Sequence, residues 1–484
     1  MIRPIIEELD YFPDPVSIYG ALRDEPYSSF LDSGMDEGKL GRYSFIGYDP
    51  FEVLKCVKGR EAFGLLKDTL DSYKLERAKS DIPFTSGCIG YFSYDLRYSI
   101  EKLPSVALDD MDMPDFILCL YDVVIIFDNL KKKAFISSSG LPERGGEKNK
   151  RRQKERLEAA RKRIDEASSR AAFFNYVGPS SGGADFTLEG GLRSNFTKEN
   201  YLKAVKKAKD LIRRGDIYQV NLSQRFECGF DGDPFELYLK LRSINPAPFA
   251  AYLNLGDFKI VSASPERFIR IDGGRIETRP IKGTRPRSAD ARADESLKKE
   301  LLSSAKDRAE HIMILDLERN DLGRVSEYGT VTPSEFIITE TYATVHHLVS
   351  TVEGRLREGT DIVDCLKNCF PGGSITGAPK VRSMEVIEEL EPTKRGIYTG
   401  SIGYIDFSGN ADLSIVIRTI IIKGDRLYFQ VGGGIVADSD AEKEYRETLD
   451  KGMALAEAVR LQKAAAGAAR RRGRQASMSG RHGV

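Results

Sequence analysis

The sequence lacks an overall charge bias and long apolar runs. Its 73 basic and 73 acidic residues balance, which excludes the general positive charge of a nucleic-acid binder. No apolar run approaches the roughly 20 residues needed to span a bilayer. The N-terminus has no basic start followed by the apolar core of a signal peptide. We therefore expect a cytoplasmic protein without nucleic-acid or membrane partners.

Paired cysteine motifs are also missing. The six cysteines are scattered without a Cys-x-x-Cys pair, which suits a reducing compartment and gives no zinc pattern. Cys365 and Cys369 lie one helical turn apart, and this indicates helix packing because no second ligand pair accompanies them. No Gly-x-Cys-x-Gly nucleophile elbow occurs, so glutamine hydrolysis is not expected of this chain.

Length and local composition predict the domain organisation. With 484 residues the chain exceeds what one core usually supports, so we expect two lobes or one large bilobed domain. Residues 1–142 read as an N-terminal strand-rich lobe. Residues 143–193 read as a charged helix followed by a flexible Gly/Ser linker. Residues 194–462 alternate strand and helix patterns and form the candidate catalytic domain, and 463–484 read as a basic disordered tail.

Individual elements can be placed from periodicity. The apolar runs Phe116–Tyr121 and Val123–Phe127 predict strands. A helical pattern that begins near Tyr201 ends at Gly215, and a strand is expected to follow from Ile217.

Two pairs of carboxylates are candidate metal ligands. Asp307 and Glu310 lie three residues apart in a helical pattern, and Glu444 and Glu447 repeat this spacing after a candidate cap at Asp438. A spacing of three places each pair on one helix face. Four converging carboxylates would repel one another without a cation, and such oxygen ligands suit Mg²⁺. Taken alone, either pair would be read as a solvated helix face.

A glycine triplet and an arginine are candidate carboxylate binders. Gly432, Gly433 and Gly434 offer backbone N–H groups that no side chain obstructs, as in an anion-binding nest, and a plain turn is the alternative. Arg418 lies in the strand-like run from Ile415 to Ile420, where its planar fork could grip a carboxylate. An exposed strand arginine is the alternative.

Several ordered segments resemble one family, the chorismate-binding enzymes. The similarity is strong over residues 194–460 and weaker in the N-terminal segment Gly41–Gly47. It implies an α+β fold, an α/β sandwich of two large, mainly antiparallel sheets with helices packed outside. The segments that carry it are Gly215–Ser223, Ser264–Phe268, Pro280–Arg287, Asp316–Leu322, His347–Ser350, Gly372–Lys380 and Gly432–Ile435.

Lys282 separates two branches of that family. The anthranilate branch usually has alanine here and adds ammonia directly at ring carbon 2 of chorismate. The aminodeoxychorismate branch has lysine, which attacks carbon 2 before ammonia enters at carbon 4. The resemblance therefore implies 4-amino-4-deoxychorismate synthesis for 4-aminobenzoate and folate, with anthranilate synthesis as the alternative. A lysine that only binds carboxylate is the other interpretation of Lys282.

The resemblance assigns roles to further residues. Glu266 is the expected general acid, with a surface salt bridge to Arg267 as the alternative. His347 is expected in the site, and Ser374 is a hydroxyl donor unless it caps the helix starting near Ala378. The remaining implied positions are the substrate-binding residues Gln219, Thr284, Tyr398, Arg418, Gly432, Gly433, Gly434 and Lys451, and the Mg²⁺ ligands Glu310 and Glu447 with Asp307 and Glu444 beside them.

Three further expectations follow from the resemblance. Relatives that add water carry a lysine base where this chain has Gln219, so ammonia is the expected nucleophile. A separate glutamine amidotransferase would supply that ammonia, and a further lyase would complete 4-aminobenzoate. Ser33 aligns with the region where relatives bind tryptophan; tryptophan binding at Ser33 and a simple turn are the two alternatives, because Asp32 replaces the usual glutamate.

Overall fold

Strands from both ends of the chain combine into two antiparallel sheets in the computed structural model, which describes residues 2–34, 40–58, 61–169, 191–342 and 345–479. The strands are β1 (Ile5–Glu8), β2 (Ser29–Asp32), β3 (Tyr43–Gly47), β4 (Glu52–Cys56), β5 (Gly87–Phe92), β6 (Phe116–Tyr121), β7 (Val123–Asp128), β8 (Lys133–Ser138), β9 (Arg193–Ser194), β10 (Gln219–Gly229), β11 (Phe249–Asn254), β12 (Phe258–Ser264), β13 (Arg267–Asp272), β14 (Arg275–Arg279), β15 (Ile281–Pro286), β16 (Thr332–Thr341), β17 (Val345–Arg355), β18 (Gly377–Ala378), β19 (Ser401–Asp406), β20 (Ala411–Ile415), β21 (Thr419–Lys423) and β22 (Arg426–Ile435). The helices are α1 (Pro15–Leu22), α2 (Ala62–Ser72), α3 (Gly146–Ser169), α4 (Lys198–Arg213), α5 (Pro234–Ile244), α6 (Ala291–Ser303), α7 (Ala305–Gly323), α8 (Ile362–Cys369), α9 (Lys380–Leu390) and α10 (Ala441–Ser479).

The first sheet has the order β1-β8-β7-β3-β2-β11-β12-β21-β22-β10-β18, and β9 pairs with β10. The second has the order β15-β17-β14-β13-β20-β19-β5-β6-β4, and β16 pairs with β17. This confirms the α+β fold of two large antiparallel sheets. None of the helices in the described ranges is long and apolar enough to cross a membrane.

The two halves of the chain do not form separate lobes, contrary to the prediction. Strand β2 pairs with β11, and β5 pairs with β19, so strands from residues 1–142 and from 194–462 share both sheets. Apolar patterns locate strands but do not reveal which distant strand is the neighbour, because only about two-thirds of sequential strands are adjacent. The expected strands at Phe116–Tyr121 and Val123–Phe127 are confirmed as β6 and β7, and both are wholly buried.

Helix termini near the site agree partly with the sequence. Helix α4 ends at Arg213, and Gly215 follows with φ of 79°, as expected for glycine at a helix end. The Ser304 side chain caps α7, on which Asp307 and Glu310 lie. The cap of α10 is Asp440 rather than Asp438, since Asp440 accepts the Lys443 backbone N–H at 3.0 Å.

The linking and terminal segments also differ from expectation in part. Helix α3 confirms the charged helix, whereas residues 170–190 of the expected linker lie outside the described residues. Residues 463–479, expected to be disordered, continue helix α10. The run 464–469 contains five alanines, which have the highest helix propensity, and this explains the difference.

Candidate active site

Lys282 is partly buried, and its amine lies close to a tight turn of another segment. Lys282 belongs to β15, which pairs with β17 through a register shift between Lys282 and Thr284. The intervening Gly283 has φ of 72°, a conformation that favours glycine. The Lys282 Nζ donates to the carbonyl oxygen of Ser374 at 2.9 Å. Burial lowers the pKa of the Lys282 amine, which favours its neutral, nucleophilic form.

Glu266 shares this space. It lies between β12 and β13, is 4% exposed, and accepts the Ile281 backbone N–H at 3.4 Å. Burial raises the pKa of Glu266, while the Ser374 hydroxyl and the Lys282 amine oppose the rise. The alternative of a salt bridge with Arg267 is wrong because that guanidinium binds Asp412 and Glu277 instead. Glu266 can therefore hold a proton for a leaving group.

A 3₁₀ turn at Gly373–Ile375 presents Ser374 to the Lys282 amine. Ser374 is 3% exposed. Helix α9 starts at Lys380 after Pro379, and no side chain caps it. The capping alternative for Ser374 is therefore wrong, and the buried turn instead supplies the carbonyl oxygen that binds Lys282.

His347 is neutral and borders the same region. Its Nδ1 lies 2.9 Å from the Thr284 hydroxyl, and its ring meets the Tyr342 ring edge-on at 5.4 Å. Burial lowers the pKa of His347 to about 4, and the nearby positive charge of Arg418 adds to the effect. At neutral pH the imidazole is uncharged, so it can accept or donate a hydrogen bond without adding charge to the site.

Arg418 does not lie within a strand as predicted. Strand β20 ends at Ile415, β21 begins at Thr419, and Arg418 occupies the intervening bend with φ of 51°. Burial lowers the pKa of its guanidinium, and the phenol of Tyr398 counteracts this. Arg418 is partly buried, and Arg418 and Tyr398 remain candidates for binding an anionic substrate.

The glycine triplet forms part of a strand, so neither a nest nor a turn is present. Gly432, Gly433 and Gly434 lie in β22 and pair with residues of β10. They follow the ladder because two long strands meet there, whereas a nest needs alternating helical conformations. A side chain at Gly433 would contact Glu444 and Glu447 at 3.4 and 3.6 Å. The absence of a side chain at Gly433 thus keeps β22 clear of these two carboxylates.

Gln219 has an unsatisfied buried amide. Its side chain is fully buried, and neither Nε2 nor Oε1 has a hydrogen-bond partner among the described residues. A Cβ at Gly434 would come within 3.0 Å of Nε2. A buried amide without partners is costly unless another molecule binds it. Gln219 therefore remains a candidate for substrate contact.

The four predicted metal-site carboxylates are linked by charge interactions, but they also have hydrogen-bond or ion-pair partners of their own. Burial raises the pKa of Glu310, and the negative charges of Asp307 and Glu447 raise it further. Asp307 pairs with Arg285 at 3.0 Å, and Glu444 accepts the Ser439 hydroxyl at 2.6 Å. In the described part of the chain, no group of three or more His, Cys, Asp or Glu side chains is arranged to hold a metal.

Lys451 connects α10 to the glycine strand. Its Nζ lies 2.7 Å from Glu447 and donates to the Gly432 carbonyl oxygen at 3.0 Å. Its charge lowers the pKa of Glu447 and also that of Lys282. Of the two predicted ligands, Glu447 is therefore the one whose ionised form the surroundings favour, whereas they disfavour the ionised form of Glu310.

The Lys282 amine thus lies near Ser374 and within the charge influence of Glu266, Lys451, Glu310 and Glu447. Comparison with known proteins identifies the family. A profile of the chorismate binding enzyme family matches residues 30–457. The chain belongs to this family.

Relatives from two branches of the family are similar to the chain. Anthranilate synthase component 1 of Aquifex aeolicus is 42% identical, with 92% of each chain covered. Aminodeoxychorismate synthase component 1 of Escherichia coli is 38% identical, with 93% of this chain and 97% of the relative covered. The crystal structure of anthranilate synthase component I from Streptococcus pneumoniae TIGR4 superimposes with a TM-score of 0.73 at 34% identity, covering 87% of this chain and 93% of that one. These similarities support a chorismate-using enzyme without separating the branches.

Ser33 is distant from Lys282 in the sequence and has hydrogen-bond partners of its own. It is 6% exposed, its hydroxyl donates to the Tyr43 carbonyl oxygen at 2.9 Å, and its backbone N–H donates to Ser44 at 3.1 Å. The neighbouring Asp32 accepts the Tyr238 hydroxyl at 2.8 Å. Residues 35–39, which continue this segment, lie outside the described residues.

Sequence reasoning missed two buried charged groups behind the site. Glu318, in the family-like segment Asp316–Leu322, accepts the Gly373 backbone N–H at 2.9 Å. Arg395 donates to the Ile375 carbonyl oxygen at 3.0 Å. Neither has a sequence signal of its own, since charged residues are ordinarily exposed.

Proposed function

We propose that the chain is the synthase subunit that converts chorismate and ammonia to 4-amino-4-deoxychorismate, in the route to 4-aminobenzoate and folate. The observation that carries this proposal is the position of the Lys282 amine, 2.9 Å from the Ser374 carbonyl oxygen and beside Glu266. Burial lowers the pKa of this amine, as a lysine nucleophile requires. An alanine there could not take part in covalent chemistry.

The chemistry assigned to the site has two substitutions. The neutral Lys282 amine forms a bond to ring carbon 2, both conjugated ring double bonds shift by one position, and the bond from carbon 4 to its hydroxyl oxygen breaks. Glu266 donates its proton to the departing hydroxyl, which leaves as water. Ammonia then bonds to carbon 4, both ring double bonds shift back, and the bond between carbon 2 and Lys282 breaks to restore the free amine.

Cationic and amide groups account for binding of the dianionic substrate. Arg418 provides a planar fork for a carboxylate, and Tyr398 lies beside it. Gln219 offers an unpaired amide, and Lys451 adds positive charge from α10. Gly433 places no side chain between β22 and the carboxylates of α10. The His347 imidazole is neutral at neutral pH because its pKa is low, and it completes the proposed set with its Thr284 partner.

Mg²⁺ is the proposed cofactor, held by Glu310 and Glu447. The two carboxylates repel each other, as shown by the rise that Glu447 causes in the pKa of Glu310, and a cation would relieve this. Mg²⁺ commonly uses only one or two protein carboxylates and keeps several waters, so a larger ligand group is not required. When bound, it would supply positive charge for a substrate carboxylate. Asp307 and Glu444, already hydrogen-bonded elsewhere, would stand beside the ligands.

The ammonia source is proposed to be a separate glutamine amidotransferase. The chain contains no Gly-x-Cys-x-Gly elbow, and all six cysteines are buried. A partner subunit with that activity would complete the reaction, while free ammonium should replace it in vitro.

Anthranilate synthesis is the second candidate, because relatives of that name reach 42% identity. Product analysis separates the two. The chain is incubated with chorismate, Mg²⁺ and ammonium, and the products are resolved by chromatography with fluorescence and mass detection. We expect 4-amino-4-deoxychorismate as the main product; fluorescent anthranilate with release of pyruvate would overturn the proposal.

A further inference from the structure

Arg395 is a fully buried arginine whose donors are all in use. Its Nε and Nη2 bind the two carboxylate oxygens of Glu391 at 2.9 and 2.6 Å. Nη2 also donates to the Asn221 carbonyl oxygen at 2.8 Å. Nη1 donates to the Ile375 carbonyl oxygen at 3.0 Å and the Thr399 hydroxyl at 3.2 Å. A guanidinium has five N–H donors, so its orientation is completely fixed.

The groups that Arg395 holds stand directly behind the active site. Ile375 follows Ser374, whose carbonyl oxygen binds the Lys282 amine. Asn221 lies two residues after Gln219 on β10, and Thr399 follows Tyr398. One side chain therefore holds the backbone, or the adjoining hydroxyl, of three segments that carry site residues.

The pair formed by Arg395 and Glu391 is itself anchored. Glu391 is 3% exposed and accepts the backbone N–H and hydroxyl of Ser223 at 2.9 and 2.7 Å. Desolvation of two buried ions offsets much of their attraction, so such a pair is a poor source of net stability. Its fixed, planar geometry is the property that apolar packing could not replace.

The turn at Gly373–Ile375 is held at both ends. At its start the Glu318 carboxylate accepts the Gly373 N–H at 2.9 Å, and at its end Arg395 binds the Ile375 carbonyl oxygen. We propose that Arg395 is a positioning residue for the reaction: with Glu391 it fixes the turn and, through the Ser374 carbonyl oxygen, the direction of the Lys282 amine. This inference rests on the proposed function, in which that amine is the nucleophile.

The chain offers a matched control in Arg97. Arg97 is as buried as Arg395 and pairs with the buried Glu388. Its guanidinium lies 4.1 Å from the centre of the Tyr94 ring, and that of Arg395 lies 4.8 Å from the same ring. Its side-chain hydrogen bonds run to Glu388 and Tyr98, not to the turn that carries Ser374. Arg97→Lys therefore reproduces the loss of a buried guanidinium without touching the site.

The test compares Arg395→Lys with Arg97→Lys. In the protein without substrate, mass spectrometry measures the rate at which acetic anhydride acylates Lys282 at a series of pH values; this dependence of rate on pH is the acylation profile. Turnover of chorismate with ammonium gives kcat and KM. A lysine keeps the charge but loses the fork, so Arg395→Lys should shift the acylation profile of Lys282 and lower kcat about tenfold to a hundredfold, since small displacements of a reacting group are costly. KM for chorismate should change less than about twofold, and Arg97→Lys should alter neither readout.

Glu391→Gln serves as a second variant that keeps the side-chain volume. It replaces one of the two oxygens facing Arg395 by a donor, and we expect the same changes at smaller size. A wild-type acylation profile and kcat in both Arg395→Lys and Glu391→Gln would overturn the proposal, as would equal losses in Arg97→Lys. Failure of the proposed function is recognised separately: Lys282→Ala would then retain product formation, whatever the acylation profiles show.

Discussion

The Lys282 amine and the neighbouring Glu266 carboxyl group both shift toward their neutral forms. Their mutual attraction favours the ionised pair, yet burial dominates for both, lowering the pKa of Lys282 and raising that of Glu266. A neutral amine is a nucleophile and a neutral carboxyl group is a proton donor. The surroundings thus prepare the two groups for complementary roles.

Loss of the acid should slow the chemical step without abolishing binding. Glu266→Gln keeps the shape and a hydrogen-bonding side chain but has no proton to give to the leaving hydroxyl. We expect kcat to fall about 10²- to 10⁴-fold, with KM for chorismate changed little. Steady-state kinetics with saturating ammonium and Mg²⁺ measure both constants. A rise in KM at constant kcat would show that Glu266 only binds substrate.

The same pair predicts a bell-shaped dependence of kcat/KM on pH. Activity needs Lys282 deprotonated and Glu266 protonated, and the product of the two populations is largest between their pKa values. The charges acting on the amine besides Glu266 are Lys451, Glu310 and Glu447. In Glu266→Gln only the lysine requirement remains, so the decline at high pH should vanish. Rates from about pH 5 to about pH 10 in both proteins test this; an unchanged decline in the variant would contradict it.

Removal of a proposed ligand should weaken Mg²⁺ binding. Glu447→Gln should raise the Mg²⁺ concentration for half-maximal activity at least about tenfold, and calorimetric titration of the chain with Mg²⁺ should show the same loss. The matched control is Glu442→Gln on the same helix, because Glu442 is half exposed and pairs with Lys198. Equal Mg²⁺ affinity in the two variants would remove Glu447 from the metal site.

His347 should stay uncharged well below neutral pH. Burial lowers its pKa to about 4, compared with about 6.5 for an exposed histidine. The unfolded chain therefore binds a proton that the folded protein excludes. The resulting contribution of about 3 kcal/mol is present above about pH 6.5 and is lost as the pH falls toward 4. The chain has four histidines, so NMR titration with His347→Gln as the assignment control is practicable. Titration of His347 near pH 6.5 would refute this prediction.

The site could be predicted from sequence where its residues belong to family-like segments, and only through that resemblance. Lys282, Glu266, Ser374 and His347 lie on separate segments, and no spacing rule brings them together. The local elements β6 and β7 followed from apolar runs. The position of these strands in two sheets shared by both halves of the chain could not be predicted, because long-range pairing leaves no periodic signal in the sequence.

The features that the sequence predicted wrongly, or not at all, depend on tertiary contacts. The glycines of β22 are interpreted from sequence as an anion-binding nest, with a turn as the alternative, but pairing with β10 over ten residues holds them extended. Arg418 read as a strand residue, whereas it bends away between β20 and β21. Arg395 and Glu391 give no signal at all, since their importance depends on burial and on backbone groups distant in the chain.

The most direct test of covalent catalysis is the mass of the protein itself. Chorismate and Mg²⁺ are added without ammonia, the reaction is quenched with acid, and the intact chain and its peptides are weighed. We expect an adduct of chorismate less one water on Lys282, absent from Lys282→Ala, which should also fail to make 4-amino-4-deoxychorismate. An unmodified Lys282 in the wild-type chain, together with undiminished product formation by Lys282→Ala, would contradict the account.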